Sequence, residues 1–430
     1  MYRRMEVRHL FIAITLWCIG LDVKLLIYKP NVENTKHLTL AVRKIIEMKS
    51  KVNYRVIEER NLQRLEHLKT SCQRLGYLGD YSNGLLSSVI SSIRAHISPN
   101  LNVMFCRVNK CGSTLALEVM NRVFNCDTDC LVDMARNVKS TKELARKVFE
   151  NVFSFLIVRE PYGRLFSSYG NLFYLPKEDW LSRAVKIIKQ VRKNPTKESL
   201  EFGHDMTFFE LIRYIVHNYE NGTYIDPHVR PMHHASCNPC AYRFSFLAKI
   251  ETLTSDLEYL LNDWYTKHII DKYPSSLIND VKEWTTWGPL KHFYTTLNLT
   301  VNSSIPVQTM YTRTWTYYQM KGLVSKKIDI PFRQSELWYV DFNIFRRVLR
   351  NAIQLSQADK KGVENQRREA MLQAYSTVPM EYMERLVHVL RDDCILFGYD
   401  ERPASLFDRS KQDHVDFDYF KGIQQEKRET

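Results

Sequence analysis

The stretch Leu101–Thr114, LNVMFCRVNKCGST, constrains the fold more than any other. An apolar, strand-like run (Val103, Met104, Phe105, Cys106, Val108) breaks into a short polar loop holding Lys110, Gly112, Ser113 and Thr114. Leu115, Val119 and Val123 then recur at helical spacing, with Leu117 and Met120 beside them. Strand, tight loop and helix together can cradle a phosphate, because loop N–H groups and the helix N-terminus point at the anion. Gly lets the backbone come close, Lys adds a full charge, and Ser and Thr add hydroxyl donors. The string is not the nucleotide triphosphatase pattern G-x-x-x-x-G-K-[ST], since Lys110 precedes the Gly. An ordinary strand-to-helix turn with a solvated lysine is the rival reading.

A second stretch, Asn151–Ser168, reads NVFSFLIVREPYGRLFSS. Val152–Val158 is a continuous apolar run, as expected of a strand buried on both faces of a parallel sheet. Arg159 sits at its carboxyl end, Pro161 suits the first turn of a helix, and Leu165, Phe166 and Tyr169 continue that helix. Ligands of open α/β sheets bind outside the carboxyl ends of the strands. Lys110 and Arg159 each fall just beyond such an end, so the pair fits a ligand with two phosphate groups. A salt bridge to Glu160 or another acid is the alternative for Arg159.

The chain has 430 residues, 44% of them hydrophobic, enough for one large core plus extensions. Residues 1–9 carry Arg3, Arg4 and Arg8 against Glu6, and Leu10–Leu21 is an unbroken apolar or small run continued to Tyr28. No small-x-small cleavage site follows, so a signal-anchor over 10–28 is expected rather than a cleaved signal peptide. The basic flank places 1–9 in the cytosol and everything after the anchor in the lumen. Three N-x-[ST] sequons, at Asn221, Asn298 and Asn302, suit that compartment. So do nine cysteines, eight of them outside the anchor, some of which should pair. Residues 29–98 carry helical spacing and are expected to form a helical stem, with a short coiled-coil homodimer as an option. The folded domain is expected over 99–407, and the polar tail, 408–430, is expected to be disordered.

Asp127 and Asp129, bracketed by Cys126 and Cys130, form a D-x-D string that can share a hard cation on a sugar nucleotide, or simply a stapled surface loop. Residues 177–200 are basic, with Lys186, Lys189, Arg192, Lys193 and Lys197; with a formal net charge of +13 this face can attract a polyanion. Asp226–Cys240 holds His228, His233, His234, Cys237 and Cys240. A structural zinc needs two clean ligand pairs, and only one C-x-x-C is present. The expectation is a disulfide, with Cys237 and Cys240 as the candidates, and no metal.

Four stretches give the chain a resemblance. CRVNKCGST is similar to the 5′-phosphosulfate loop, and VREPYGRLFSSY to the 3′-phosphate motif, of the Golgi carbohydrate sulfotransferases in the chondroitin 4-O-sulfotransferase and HNK-1 sulfotransferase group. HVRPMHHASCNPC followed by FSFLAKIETLTSDLEYLL matches that family's H-x-x-P…C-x-P-C segment and the K-x-E-T-L after it. MERLVHVLRDDCILFGYD resembles its C-terminal part. The resemblance covers roughly 100–265 plus the last stretch. Two departures stand out. Asn109 replaces the Pro usual before the loop Lys, and Leu115, Ala116, Leu117 and Glu118 replace a Trp and basic residues.

The resemblance implies an α/β, P-loop-like sulfotransferase fold, with a central parallel sheet flanked by helices behind the anchor and stem. It implies 3′-phosphoadenosine 5′-phosphosulfate (PAPS) as donor. Asn109, Lys110, Cys111, Gly112, Ser113, Thr114 and Leu115 would cup the 5′-phosphosulfate, and Arg159 and Ser167 would hold the 3′-phosphate. Lys110 would stabilise the leaving group, and His228, with Glu118 as runner-up, would take the acceptor proton. The expected partners are an anionic glycan acceptor and the Golgi membrane, not nucleic acid, and the expected acceptor is the N-acetylgalactosamine 4-hydroxyl of chondroitin or dermatan. Two other readings stay open: a metal-dependent glycosyltransferase using Asp127 and Asp129, and a catalytically inactive glycan-binding relative. Residues 266–380, with Trp284, Trp287 and Trp315, match no motif and would shape the acceptor site.

Overall fold

The computed structural model describes residues 54–77, 95–98, 102–125, 132–133, 152–234, 238–274, 276–300, 305–333, 335–411, 415–421 and 423. The expected anchor, the stem up to residue 53, Asp127, Asp129, Cys237 and Asn302 lie outside them. No helix among the described residues is long and apolar enough to cross a membrane.

A five-stranded mixed sheet forms the centre: β1 (Ala95–Ile97), β2 (Val103–Cys106), β3 (Val132–Asp133), β4 (Phe153–Val158) and β5 (Phe246–Lys249), in the order β3-β1-β2-β4-β5. β2, β4 and β5 run parallel, with Phe105 beside Phe155 and Phe155 beside Phe246. β1 is antiparallel to β2 and to β3. Every residue of β2 is buried, and in β4 only Phe153 is partly covered. Both strands are near-continuous apolar runs because helices cover both faces of the parallel part. Ser154, the one polar residue in β4, is fully buried and donates to the Arg243 carbonyl at 3.1 Å.

The helices used below are α1 (54–74), α2 (Ser113–Val123), α3 (Pro161–Tyr169), α4 (Phe208–Glu220), α5 (Leu253–Thr266), α6 (Leu277–Thr300), α7 (Val307–Met320), α8 (Phe342–Ser356), α9 (Lys360–Ser376) and α10 (Met380–Phe397). α2 follows β2 and α3 follows β4, as the hydrophobic spacing predicts. One aromatic-rich core joins α3, α4 and α6 to α10, including Tyr162, Tyr169, Phe208, Tyr311 and Tyr375. The Tyr375 hydroxyl donates to the Tyr162 carbonyl at 2.9 Å, which seats α9 on the first turn of α3.

Two expectations are corrected here. The described part of the stem is not a free stalk, because α1 packs on the body. Arg60 and Arg64 both pair with the buried Asp256, Arg64 at 3.0 Å, and Asn61 bonds the backbone of Ser245 and Leu247. Asp256 is fully enclosed, and leaving such a carboxylate unpaired would be costly; the two arginines of α1 satisfy it. The described part of the tail is packed on the body rather than disordered. Tyr419, Phe420 and Ile423 are buried in the aromatic core, with Tyr419 N–H donating to Gln373 at 2.8 Å. The intervening Asp416 and Asp418 made the tail read as polar, while its aromatics supplied an anchor.

The cysteine pairing also differs. Cys240 is bonded to Cys72 of α1, not to Cys237, closing a loop of 168 residues. α1 brings Cys72 to a Cα–Cα distance of 5.6 Å from Cys240, which a disulfide spans. Cys106 is disulfide-bonded as well, and Cys111 and Cys394 are buried free thiols.

Candidate active site

The β2–α2 loop turns sharply at two left-handed residues, Lys110 (φ 66°) and Gly112 (φ 73°). A lysine in that region stores strain, which persists only where surrounding contacts hold it. The main contact is Arg164 of α3, which is almost fully enclosed. Its Nε donates to the Asn109 carbonyl at 3.0 Å and its Nη1 to the Arg230 carbonyl at 2.8 Å, while Nη2 meets no partner. A Cβ on Gly112 would lie 2.9 Å from the tip of Leu253 and 3.0 Å from the tip of Ile250, which would have to shift, and the φ of 73° strains any L side chain there. Gly112 opens α2 without a side-chain cap or an acidic residue in the first turn. That leaves the helix N-terminus available to an anion.

Beyond β4, Glu160 caps α3 by accepting from the Tyr162 N–H at 2.9 Å and from the Gly163 N–H, and burial pushes its carboxyl up to about 7. Arg159 is buried, and its Nη1 donates to the Lys110 carbonyl at 3.2 Å. Arg159 therefore reaches the backbone of the Lys110 loop, and the two residues at adjacent strand ends lie side by side, while the Lys110 ammonium itself turns to Asn171. Ser167 is half-buried on α3. Ser168, beside it, is buried and donates to the His228 carbonyl at 2.8 Å.

After α3 the chain makes two π-helical turns, Gly170–Tyr174 and Trp180–Ala184. Such turns widen a helix and are common at functional sites. The first turn brings Asn171 to Lys110, whose Nζ donates to Asn171 Oδ1 at 2.5 Å. Asn171 in turn donates to the Tyr317 hydroxyl of α7 at 3.3 Å. Buried Arg313 of α7 braces both turns. It bonds the Phe173 carbonyl at 3.2 Å and stacks over Tyr174 and Trp180, 4.7 and 4.6 Å from their centroids.

The loop lysine is partly covered as a residue. Burial of its ammonium, then repulsion from Lys177, Lys321 and Arg183 against the pull of Asp179, takes it down to about 7. Lys177 and Arg183 are paired with Asp179, at 3.3 and 2.7 Å, and Arg183 also with Asp226, so the acids offset part of the positive charge around Lys110.

The third wall is the loop after α4. Asp226 Oδ1 accepts both the His228 backbone N–H and His228 Nδ1, each at 2.8 Å, and its other oxygen pairs with Arg183. Burial works against the Asp226 charge, but the His228 bonds and Arg183 hold the carboxyl down at about 2. With Nδ1 donating to that carboxylate, the lone pair of His228 lies on Nε2. Burial lowers the His228 pKa; the bond to Asp226 opposes this, while Lys110 and Arg183 lower it further. The Asn109 side chain donates to the Pro227 carbonyl at 3.3 Å, tying this loop to the first.

The structure thus brings together Asn109, Lys110, Gly112, Ser113, Thr114, Leu115, Arg159 and His228. Cys111 contributes backbone only: its thiol faces Met232 at 3.7 Å, and burial pushes it up to about 12. Glu118 is engaged by Arg122 along α2 at 2.8 Å. Arg192, counted with the polyanion-attracting basic residues, is instead committed to Glu210 and Asp205, each at 2.6 Å, whereas Lys186, Lys189, Lys193 and Lys197 are exposed. His233 is structural, since buried Asp393 of α10 accepts its Nδ1 at 2.7 Å and its backbone N–H at 2.9 Å. No cluster of metal-ligating side chains occurs among the described residues. Asn221 and Asn298 are exposed. Sequence reasoning missed Arg164, Asn171, Lys177, Arg183 and Asp226. Asp226 had a signal, being an Asp two residues before a His; the π turns had none.

Residues 94–312, just over half of the chain, match the model of the "Sulfotransferase family". The chain belongs to the sulfotransferase family. Among its relatives, carbohydrate sulfotransferase 14 of Danio rerio is 34% identical over 119 residues, 28% of this chain and 32% of that protein. Carbohydrate sulfotransferase 11 of Rattus norvegicus is 33% identical over 123 residues, 26% of this chain and 32% of that protein. Carbohydrate sulfotransferase 10 of Rattus norvegicus is 26% identical over 238 residues, 50% of this chain and 64% of that protein. The sulfotransferase match thus spans about a third of the first two relatives. No solved structure matches the chain.

Proposed function

We propose that this sulfotransferase-family chain transfers a sulfuryl group from PAPS to a glycan hydroxyl in the Golgi lumen, as a type II membrane protein. The acceptor we favour is the 4-hydroxyl of N-acetylgalactosamine in chondroitin or dermatan. The relatives named carbohydrate sulfotransferases support the glycan. The observation that carries the reading is that Arg159 and the loop holding His228 both bond to the Lys110 loop beside an uncapped helix N-terminus.

The donor is a substrate with two anionic ends, and the residues present suit it. The loop Asn109–Leu115 and the start of α2 would take the phosphosulfate. Arg159 and Ser167 would take the 3′-phosphate. When bound, the donor supplies an activated sulfuryl group whose transfer, like phosphoryl transfer, depends mostly on position and charge neutralisation. Lys110 Nζ neutralises charge that develops on the leaving oxygen. Asp226 holds the His228 ring through Nδ1, so that Nε2 takes the proton of the attacking sugar hydroxyl. Asn171 and Arg164 act as positioning residues, one on the ammonium and the other on the loop backbone.

The test is transfer of labelled sulfate from PAPS to desulfated chondroitin by the full-length protein, beside Lys110→Ala and Arg159→Ala. Transfer by the parent that both variants lose supports the reading. Transfer of a sugar from a manganese-dependent sugar nucleotide would overturn it. Chondroitin binding with no sulfate transfer across a panel of acceptors would replace it with an inactive binding protein.

A further inference from the structure

We propose that the facing stripes of α6 and α8 form a second groove, which holds an acidic glycan chain beyond its reacting sugar. This rests on the sulfotransfer reading above. On α6, Trp287, Lys291, Tyr294 and Asn298 recur at intervals of three and four and so share one face. On α8, Phe342, Arg346 and Arg350 recur at every fourth residue and likewise share a face. The stripes meet: the Tyr294 and Phe342 rings are 5.3 Å apart, edge to face. Arg346 and Arg350 lie over Trp287, at 5.3 and 5.4 Å from its ring centroid. Beside Phe342 a cavity of about 560 Å³ opens among Lys291, Tyr294, Thr295 and Asn298.

The chemistry selects the occupant. Sugar C–H faces pack on aromatic rings, and Arg N–H forks bind carboxylates and sulfates in pairs. A guanidinium over an aromatic ring keeps its charge and can still donate to a second group. Among the described residues no acid pairs with Arg346 or Arg350, and Arg346 Nε and Trp287 Nε1 are buried without a partner. An unpartnered row of two arginines and a lysine along aromatic rings suits a chain of uronate or sulfated sugars better than a neutral one.

The groove is also connected to the site. His292 of α6 contacts Glu178 at 3.1 Å, and Glu178 sits between Lys177 and Asp179, whose charges act on Lys110. On α7, Tyr317 touches Asn171 while its neighbour Tyr318 bonds the Thr286 carbonyl at 2.8 Å, one residue before Trp287. A chain lying along α6 and α8 would therefore lead towards the loop lysine.

The test compares the full-length parent with an Arg346→Gln, Arg350→Gln double variant, using polymeric chondroitin and a chondroitin tetrasaccharide at saturating donor. The expected result is a KM for the polymer raised about tenfold with kcat held, and a tetrasaccharide KM moved less than about twofold. A polymer KM within about twofold of the parent overturns the groove. An Asn298→Gln variant is run beside it. If the double substitution has no effect until that sequon is removed, the cavity houses the protein's own N-glycan and the proposal fails. If the parent transfers nothing, the sulfotransfer reading fails by itself. Equilibrium binding of fluorescent chondroitin then decides the groove, with about tenfold weaker binding by the double variant supporting it and equal binding overturning it.

Discussion

Two loops face each other across the site, and they are built on different principles. The β2–α2 loop is a backbone device. Lys110 and Gly112 take left-handed conformations, Arg164 grips a carbonyl rather than a side chain, and the tips of Leu253 and Ile250 crowd the place of a Cβ on Gly112. The loop after α4 is a side-chain device, in which Asp226 holds His228 through one oxygen and Arg183 through the other. A loop made of backbone geometry fails when its shape changes. A loop made of paired side chains fails when one hydrogen bond is removed.

Substitutions can break or sharpen this contrast. Lys110→Ala should have the largest effect, lowering kcat by about 10³-fold in the sulfate-transfer assay, because in the proposed mechanism it removes the charge that neutralises the leaving oxygen. His228→Gln should lower kcat by about 10²-fold with little change in donor affinity. Asp226→Asn should cost less, about tenfold, and should shift the acidic limb of the kcat/KM profile, since the imidazole stays but loses its anionic partner. If Asp226→Asn is silent while His228→Gln is not, the side-chain account of the second loop is wrong. Gly112→Ala should weaken donor binding and lower Tm together, from about 1–2 kcal/mol of backbone strain plus the contacts with Leu253 and Ile250. A Gly112→Ala enzyme that keeps its donor affinity would remove the backbone account of the first.

The smallest effect is in pH. The Lys110 ammonium has a pKa near 7 in the free protein, below its ordinary value, so donor binding should weaken as pH rises through about 7. The bound anion favours the charged form and should move that limb upward. The same depression means that the unfolded chain holds this proton where the folded chain has released it. The Lys110 share of stability therefore rises with pH above about 7, and below that its full cost is present. Lys110→Met should accordingly raise Tm at pH 6 while abolishing transfer.

What could be read in the sequence follows from the same contrast. The parallel strands and both post-strand helices were legible because apolar runs and helical spacing persist over many residues. The positions of Lys110 and Arg159 beyond the ends of β2 and β4 were legible because the apolar runs mark where those strands stop. Arg164 was overlooked because an arginine in an apolar helix reads as a surface charge until the carbonyls it holds are seen. Asn171 and Lys177 were hidden by π turns, which shift the helical phase without a marker residue. α1 was read as a stalk because its buried stripe gives no hint of whether another copy or the body covers it. The partner is Asp256, which lies 192 residues from Arg64. In the tail, aromatics alternating with aspartates averaged to a polar composition, although Tyr419 and Phe420 are anchored.

The bond between Cys72 and Cys240 has a consequence for how the molecule can be cut. Arg159, Lys110 and His228 all lie inside the covalent ring that it closes. A protease that clips one exposed turn within that ring would yield two pieces that still migrate as a single species, until a thiol reagent lets them part.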